Sequence, residues 1–250
     1  MRVNRWLTAW LFMLAGGCLH AQDLSTVCHA TSSYDLTVQQ NRLIFDRASP
    51  APMRVVIGAG SLQTDGQAVS LNAEDQDRVS LFLRETQALV PRVKAIVQHG
   101  VDIAVQAIQQ ESASLNLDDE TRAELQRRLQ ADAANLHQRI AASESTHDWR
   151  GDAANQYANQ LIGDMAPLIA SSLGQQAVSA AMSGDLQQAA ALRDQAANLA
   201  SGFQPRLQQR LQVLRPDIRA LCPDIQRLSA LQEGLRASNG RPLNLVQVGQ

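Results

Sequence analysis

The sequence is poor in aromatic residues and almost free of lysine. Only 4% of its 250 residues are Phe, Trp or Tyr, and Lys94 is its single lysine. Platforms that stack bases or sugars need several exposed rings. Lysine and arginine together number 22 against 24 acidic residues, a formal net charge of -2, which argues against a strongly basic nucleic-acid binder. We therefore expect no nucleic-acid partner.

Local motifs of catalysis and cofactor binding are also missing. The sequence has no Gly-x-Ser-x-Gly nucleophile turn, no phosphate-binding loop ending in Gly-Lys-Ser/Thr, no dinucleotide fingerprint and no His-Glu-x-x-His. Many active sites have no local motif, so enzymatic activity stays undecided. A non-enzymatic role is favoured, and we expect no cofactor and no catalytic residue.

The first 21 residues have the layout of an export signal. Arg2 and Arg5 precede an apolar run from Trp6 to Ala15, and Ala21 offers a cleavage site. A second hypothesis is lipid anchoring through Cys18, because residues 15–18 resemble a bacterial lipobox. Alanine occupies the lipobox position where leucine is usual, which favours simple cleavage and a periplasmic location. The longest later apolar stretch, residues 161–182, is interrupted by Asp164.

Cleavage after Ala21 leaves two cysteines, Cys28 and Cys222. Export implies an oxidising compartment, where an even pair favours a disulfide. A zinc site wants about four ligands, and no Cys-x-x-Cys is present. The sequence therefore predicts a Cys28–Cys222 bridge, and the alternative is two unrelated buried thiols.

Period-two alternation and turn residues between Cys28 and Leu71 predict an antiparallel meander of about five strands. Asp65-Gly66 between two short runs is typical of a hairpin turn with positive φ at both positions. The predicted strands are residues 34–38, 42–46, 53–57, 61–64 and 67–71.

The periodicity changes at Asn72 to steps of three and four, which predicts long helices with apolar seams. Asn72 is expected to cap the first, with Asp75 completing a variant capping box, and Pro91 to kink or break it near Leu89. Asp118 and Asp185 are expected to cap two later helices. Three prolines are expected to divide the last helical stretch: Pro205, Pro216 and Pro223.

The stretch from residue 28 to 110 resembles the YggN-like family of gram-negative periplasmic proteins of unknown function. The resemblance depends on Cys28 directly after the signal, the strand at residues 34–38, and the hairpin at 62–71 leading into the helix that starts at 72–76. It continues through residues 90–93 and 100–104. It implies export and a β-then-α layout, and it implies no activity, substrate or catalytic residue.

One loop gathers chemically versatile residues. Residues 144–152 contain His147, Trp149 and three acids, which are Glu144, Asp148 and Asp152. His147 with these carboxylates could hold a divalent cation. The favoured interpretation is a structural polar loop without a metal, because a metal site needs convergence that spacing alone does not show.

Arginines recur at helical spacing along two predicted helices, at Arg122, Arg127 and Arg128 and at Arg206, Arg210, Arg215 and Arg219. They could contact anionic lipid at the membrane periphery. Interspersed acids favour solvated faces instead. The apolar seams are expected to form core, with a groove for a partner helix as the alternative.

The sequence thus predicts an α+β protein: signal peptide 1–21, meander 22–71 and a long-helix region 72–250 with coiled-coil-like packing. The two parts are expected to pack as one unit, and residues 243–248 to add a strand to the meander. The expected function is non-enzymatic binding, scaffolding or envelope maintenance in the periplasm, with an unknown protein or envelope component as partner. The alternatives are an enzyme or metal-binding protein using the His147 loop, and a lipoprotein anchored through Cys18.

Overall fold

The computed structural model describes residues 24–115, 117–149 and 153–249, so the expected signal peptide and lipobox lie outside the described residues. The helices are α1 Leu24–Cys28, α2 Ala73–Ala113, α3 Asp119–Ala142, α4 Ala153–Met182, α5 Leu186–Leu211, α6 Arg215–Arg219 and α7 Cys222–Gln232. The strands are β1 Ala30–Thr31, β2 Asp35–Gln39, β3 Arg42–Asp46, β4 Arg54–Gly58, β5 Ser61–Thr64, β6 Gln67–Ala68 and β7 Gln247–Val248. Short 3-10 turns cover Thr146–Trp149 and Gln212–Leu214. This order confirms the predicted α+β class.

The predicted meander is a five-stranded antiparallel sheet in the order β2-β3-β4-β5-β6. Its one buried face follows from the alternation, since every second residue points to the same side. Asp65 and Gly66 have φ values of 50° and 81°, so the β5–β6 hairpin has the predicted turn. The buried face consists of Leu43, Phe45, Val55, Ile57 and Leu62.

The first half of α2 covers this face. Asn72 caps the helix as predicted, because its side chain accepts a 2.8 Å hydrogen bond from the backbone N–H of Asp75. The Asp75 carboxylate faces Arg78 at 3.7 Å. Val79 and Phe82 are fully buried against the sheet together with α7 residues. The apolar seam predicted for this helix is therefore core.

Of the kink or break predicted near Leu89, the break is wrong, since α2 continues through Pro91 for all its 41 residues. Leu89 and Val93, on either side of the proline, both pack on a cluster formed by Cys28, Ala30, Leu221 and Ile225. This packing on both sides of the proline offsets the missing backbone hydrogen bond.

The C-terminal tail does not join the meander, which corrects the expectation for residues 243–248. Its strand is β7, which pairs with β1 in a separate two-stranded sheet. The backbone of the tail is held by the buried Gln232 side chain instead. The Oε1 atom of Gln232 accepts hydrogen bonds from Leu245 N at 2.6 Å and from Val246 N at 3.0 Å. Leu243 and Leu245 add to the core without sheet pairing.

The second half of α2 and helices α3, α4 and α5 form a bundle in which each helix packs on the next and α5 returns to α2. The connections α2–α3 and α4–α5 are short, which makes neighbours antiparallel. The expected division at Pro205 is wrong, since α5 runs through it, whereas Pro216 and Pro223 lie in the first turns of α6 and α7. The coiled-coil-like character of the packing stays a prediction.

Cys28 and Cys222 form the predicted disulfide, with Cα atoms 5.2 Å apart. The bridge joins α1 to the first turn of α7, next to the β1–β7 pairing. The N-terminal and C-terminal segments are therefore tied together covalently and by strand pairing, on the middle of α2.

Replacing both cysteines by serine, Cys28→Ser with Cys222→Ser, should lower the free energy of unfolding by about 2–5 kcal/mol, because the unfolded chain regains the freedom that the bridge removes. Urea unfolding of the two proteins measures this difference. Wild type unfolded with a reductant is the control and should match the variant. Two free thiols in the intact mass of non-reduced wild type would contradict the bridge.

Candidate functional site

The His147 loop lies against the open edge of the sheet. β2 is the first strand in the sheet order, and the loop supplies a partner for its outer side. The backbone N–H of Val38 donates to the carbonyl of Glu144 at 2.8 Å, and Leu36 N donates to Thr146 Oγ1 at 2.8 Å. An unpaired strand edge is a site for unwanted association, so covering β2 is a structural role for this loop.

The His147 ring contacts one carboxylate. Its Nδ1 lies 3.3 Å from Asp35 Oδ2, while the side chain is 77% exposed. Asp148 accepts a 3.4 Å hydrogen bond from Ser143 Oγ. Within the described residues, no three His, Cys, Asp or Glu side chains are grouped to hold a metal ion. Asp152 and the side chain of Trp149 lie outside the described residues.

His147→Ala should change the free energy of unfolding by less than about 1 kcal/mol, the usual range for an exposed ion pair. Thermal unfolding with and without micromolar zinc, manganese or calcium measures this, with His99→Ala, at another exposed histidine, as the matched control. Stabilisation of the wild type, but not of the variant, by one of these ions would place a metal site in the loop.

Most arginines that recur at helical spacing along α3 and α5 are paired with neighbouring polar groups. Arg206 makes a two-point contact with Glu111 at 2.8 and 2.9 Å, which ties α5 to α2. Arg127 and Arg128 both contact Glu124 within α3. These contacts fit the interpretation as solvated, ion-paired faces.

Asp118, the residue that caps α3, also contacts the neighbouring helix α4. Asp118 accepts hydrogen bonds from Thr121 N and Thr121 Oγ1, both at 2.7 Å, and from Ser172 Oγ of α4 at 3.0 Å. The bonds from Thr121, then that from Ser172, lower the pKa of Asp118 from 3.8 to about 2. This confirms the predicted cap and also joins α3 to α4. An open cavity of about 430 Å³ lies beside it, bordered by Thr121 and Arg128 of α3 and by Ser171 of α4.

A carboxyl whose pKa is lowered on folding stabilises the protein above its unfolded pKa, and this stabilisation is lost as the pH falls through the folded pKa. Asp118→Asn keeps a capping side chain but removes the charge. We expect the stability difference between wild type and variant to shrink as the pH falls from about 4 to about 2.

Thermal unfolding between pH 2 and pH 6, in steps of about half a unit, follows this difference. Asp119→Asn is the control, since it removes the same charge one residue later and leaves the Asp118 contacts in place. A wild-type advantage that stays constant over the whole range would show that Asp118 is not the titrating group.

The end of the α4–α5 hairpin extends beyond the rest of the bundle. Ser172 of α4 contacts Asp118, and Gln195 Nε2 of α5 donates to Ser114 O at 3.2 Å, so both helices pass the α2–α3 connection at these points. The last ten residues of α4 therefore project by about 15 Å. They bury little, chiefly Leu173 and Ala180.

Exposed apolar side chains are concentrated at this end. Among the described side chains, six large apolar ones are exposed, and three of them lie within nine residues here: Val178 at 60%, Met182 at 84% and Leu186 at 71%. Gly174, Val178 and Met182 of α4 line one shallow groove, and we call this surface of the hairpin the outer face. Residues 171–201 are rich in alanine, glutamine and serine, which favours a helix with few large side chains to pack but does not predict the projection. The sequence signal for this surface is the absence of charge between Met165 and Leu192, apart from Asp185.

No helix among the described residues has the length and apolar character needed to cross a membrane. The comparison with curated proteins and the comparison with solved structures gave no match. The model of one protein family, described as a protein of unknown function (DUF2884), matches residues 28–246. This match begins at the first disulfide cysteine, includes the sheet and the bundle, and ends just before β7. The chain belongs to this family of unknown function.

Proposed function

We propose that this chain is a YggN-like periplasmic protein of a gram-negative bacterium that acts without catalysis, as a protein-binding or scaffolding component of the cell envelope. The outer face of the α4–α5 hairpin is its binding surface. The observation that carries this proposal is the exposure of Val178, Met182 and Leu186 on a nearly uncharged, projecting part of the bundle.

Two features support export. Arg2 and Arg5 followed by an apolar run are typical of a cleaved signal. The Cys28–Cys222 bridge fits an oxidising compartment such as the periplasm. The signal pattern is a property of the sequence and the bridge is a contact between distant residues, so the two features support the same location independently.

The composition of the hairpin supports a protein partner. Eight of the 24 residues of α3 are charged, as is usual for a helix with a solvated face. The hairpin between Met165 and Leu192 has a single charged residue, Asp185. Its carboxylate caps α5 by accepting a 2.9 Å hydrogen bond from Gln188 N. Depletion of charge and enrichment of methionine are typical of the buried centre of protein–protein interfaces.

The two alternatives from the sequence have less support. The metal or enzyme hypothesis depends on the His147 loop, where the described residues bring one carboxylate to the ring. The lipoprotein hypothesis depends on Cys18 and differs from the favoured one in the mature N-terminus. Intact mass of the processed protein separates them: Gln22 at the N-terminus supports periplasmic release, and acylated Cys18 supports anchoring.

Photo-crosslinking in the cell tests the binding surface. A photoreactive amino acid replaces Met182 on the outer face or, as the matched control, Val213, which is also exposed but lies on the 3-10 turn after α5. We expect protein adducts from position 182 in the periplasmic fraction and few or none from position 213. Equal labelling at both positions, or none at 182, would contradict a binding role for the hairpin.

A further inference from the structure

We propose that the partner of the outer face is a second copy of this chain, packed antiparallel on α4 about a two-fold axis that passes Val178. This inference rests on the proposed binding role of the hairpin and adds the identity of its partner. It depends on three observations: the exposure of the face, its lack of charge and the order of small and large residues along it.

The charge of the face favours a copy of itself over other partners. Lysine and arginine are absent between Met165 and Leu192, so the face has no basic group to attract anionic lipid or a polyanion. It also has no tyrosine or tryptophan, the residues typical of membrane interfaces. In a two-fold contact a group close to the axis faces its own equivalent, so a face without charge around Val178 avoids that repulsion. Asp185, seven residues from Val178, lies away from the axis.

The residues along α4 are complementary to themselves. Gly174 and Met182 lie four residues before and after Val178, so the three form one ridge of the helix. In an antiparallel pair centred on Val178, Met182 of each copy faces Gly174 of the other. A Cβ atom added at Gly174 meets no atom within 4 Å, and the glycine lies in a shallow groove bordered by Ser171 and Val178. The missing side chain therefore leaves a hole in the face. Met182, 84% exposed, is a flexible side chain suited to fill it.

The size of the face sets the expected strength. Residues 170–182 span about 18 Å of helix, with a width of about 10 Å. Such a contact buries much less than the ~800 Å² per partner typical of stable complexes. We therefore expect a weak dimer with a dissociation constant between about 1 µM and 1 mM. The monomer and the dimer should exchange, with dimer increasing with concentration.

Sedimentation equilibrium of the purified, disulfide-bonded protein over about 10–500 µM tests self-association. Val178→Asp should raise the dissociation constant at least ~10-fold, since it places two carboxylates at the axis. Val213→Asp, the same change at another exposed valine, should leave it unchanged. Gly174→Leu should also weaken the dimer, because it fills the hole, while helix propensity favours leucine in the monomer. Unchanged melting temperatures of these variants would show that a weaker dimer does not result from a folding defect.

Val178→Cys supplies the geometric test. Two cysteines on the axis should form a disulfide-linked dimer under mild oxidation that a reductant dissolves on a gel, whereas Val213→Cys should stay monomeric. Protein that remains monomeric at 500 µM, or that associates equally in Val178→Asp, overturns the inference. Photo-adducts from position 182 that have a different protein as the partner also overturn it, while the proposed binding role stands. Absence of any adduct from position 182 would contradict both the dimer and the proposed binding role.

Discussion

The packing of α2 is the constraint on which the remaining structure depends. A helix of 41 residues is about 60 Å long, more than either hydrophobic core needs. Its first half supplies Val79 and Phe82 to the core beneath the sheet, and its last turns supply Ala107 and Ile108 to the bundle. Between them two segments, α1–β1 and α7–β7, pack on its middle. They are joined by β1–β7 pairing and by the Cys28–Cys222 bridge. One stiff element therefore positions the sheet, these joined segments and the bundle.

Features determined by local chemistry could be predicted from the sequence. The turn at Asp65-Gly66 needs only two residues that tolerate positive φ, and the caps at Asn72 and Asp118 need only a side-chain acceptor three residues before a free backbone N–H. The disulfide could be predicted because export reduces the choice to Cys28 and Cys222. In each case the physical cause lies within a few residues or in a simple count.

Features determined by distant contacts could not be predicted. A helix runs through Pro91 because segments more than a hundred residues apart in sequence pack on both sides of it. The tail avoids the meander because Gln232 binds its backbone N–H groups, and no periodicity shows where a buried glutamine will point. The role of the His147 loop likewise depends on the free edge of β2, which appears only once the strand order is known. The spacing of residues in that loop does not predict that they contact the outer side of β2.

The outer face of the hairpin has a physical basis that core packing does not supply. A bundle helix with a solvated side gains solubility from charge, as α3 shows with Glu124, Arg127 and Arg128. The end of the hairpin buries few large side chains, so its outer residues are not needed as core. Exposed apolar groups there lower the solubility of the protein and do not stabilise the monomer. Their retention on a projecting, uncharged ridge is explained when another surface covers it. The placement of Gly174 and Met182 at equal distances from Val178 makes that surface most simply the same ridge of a second molecule.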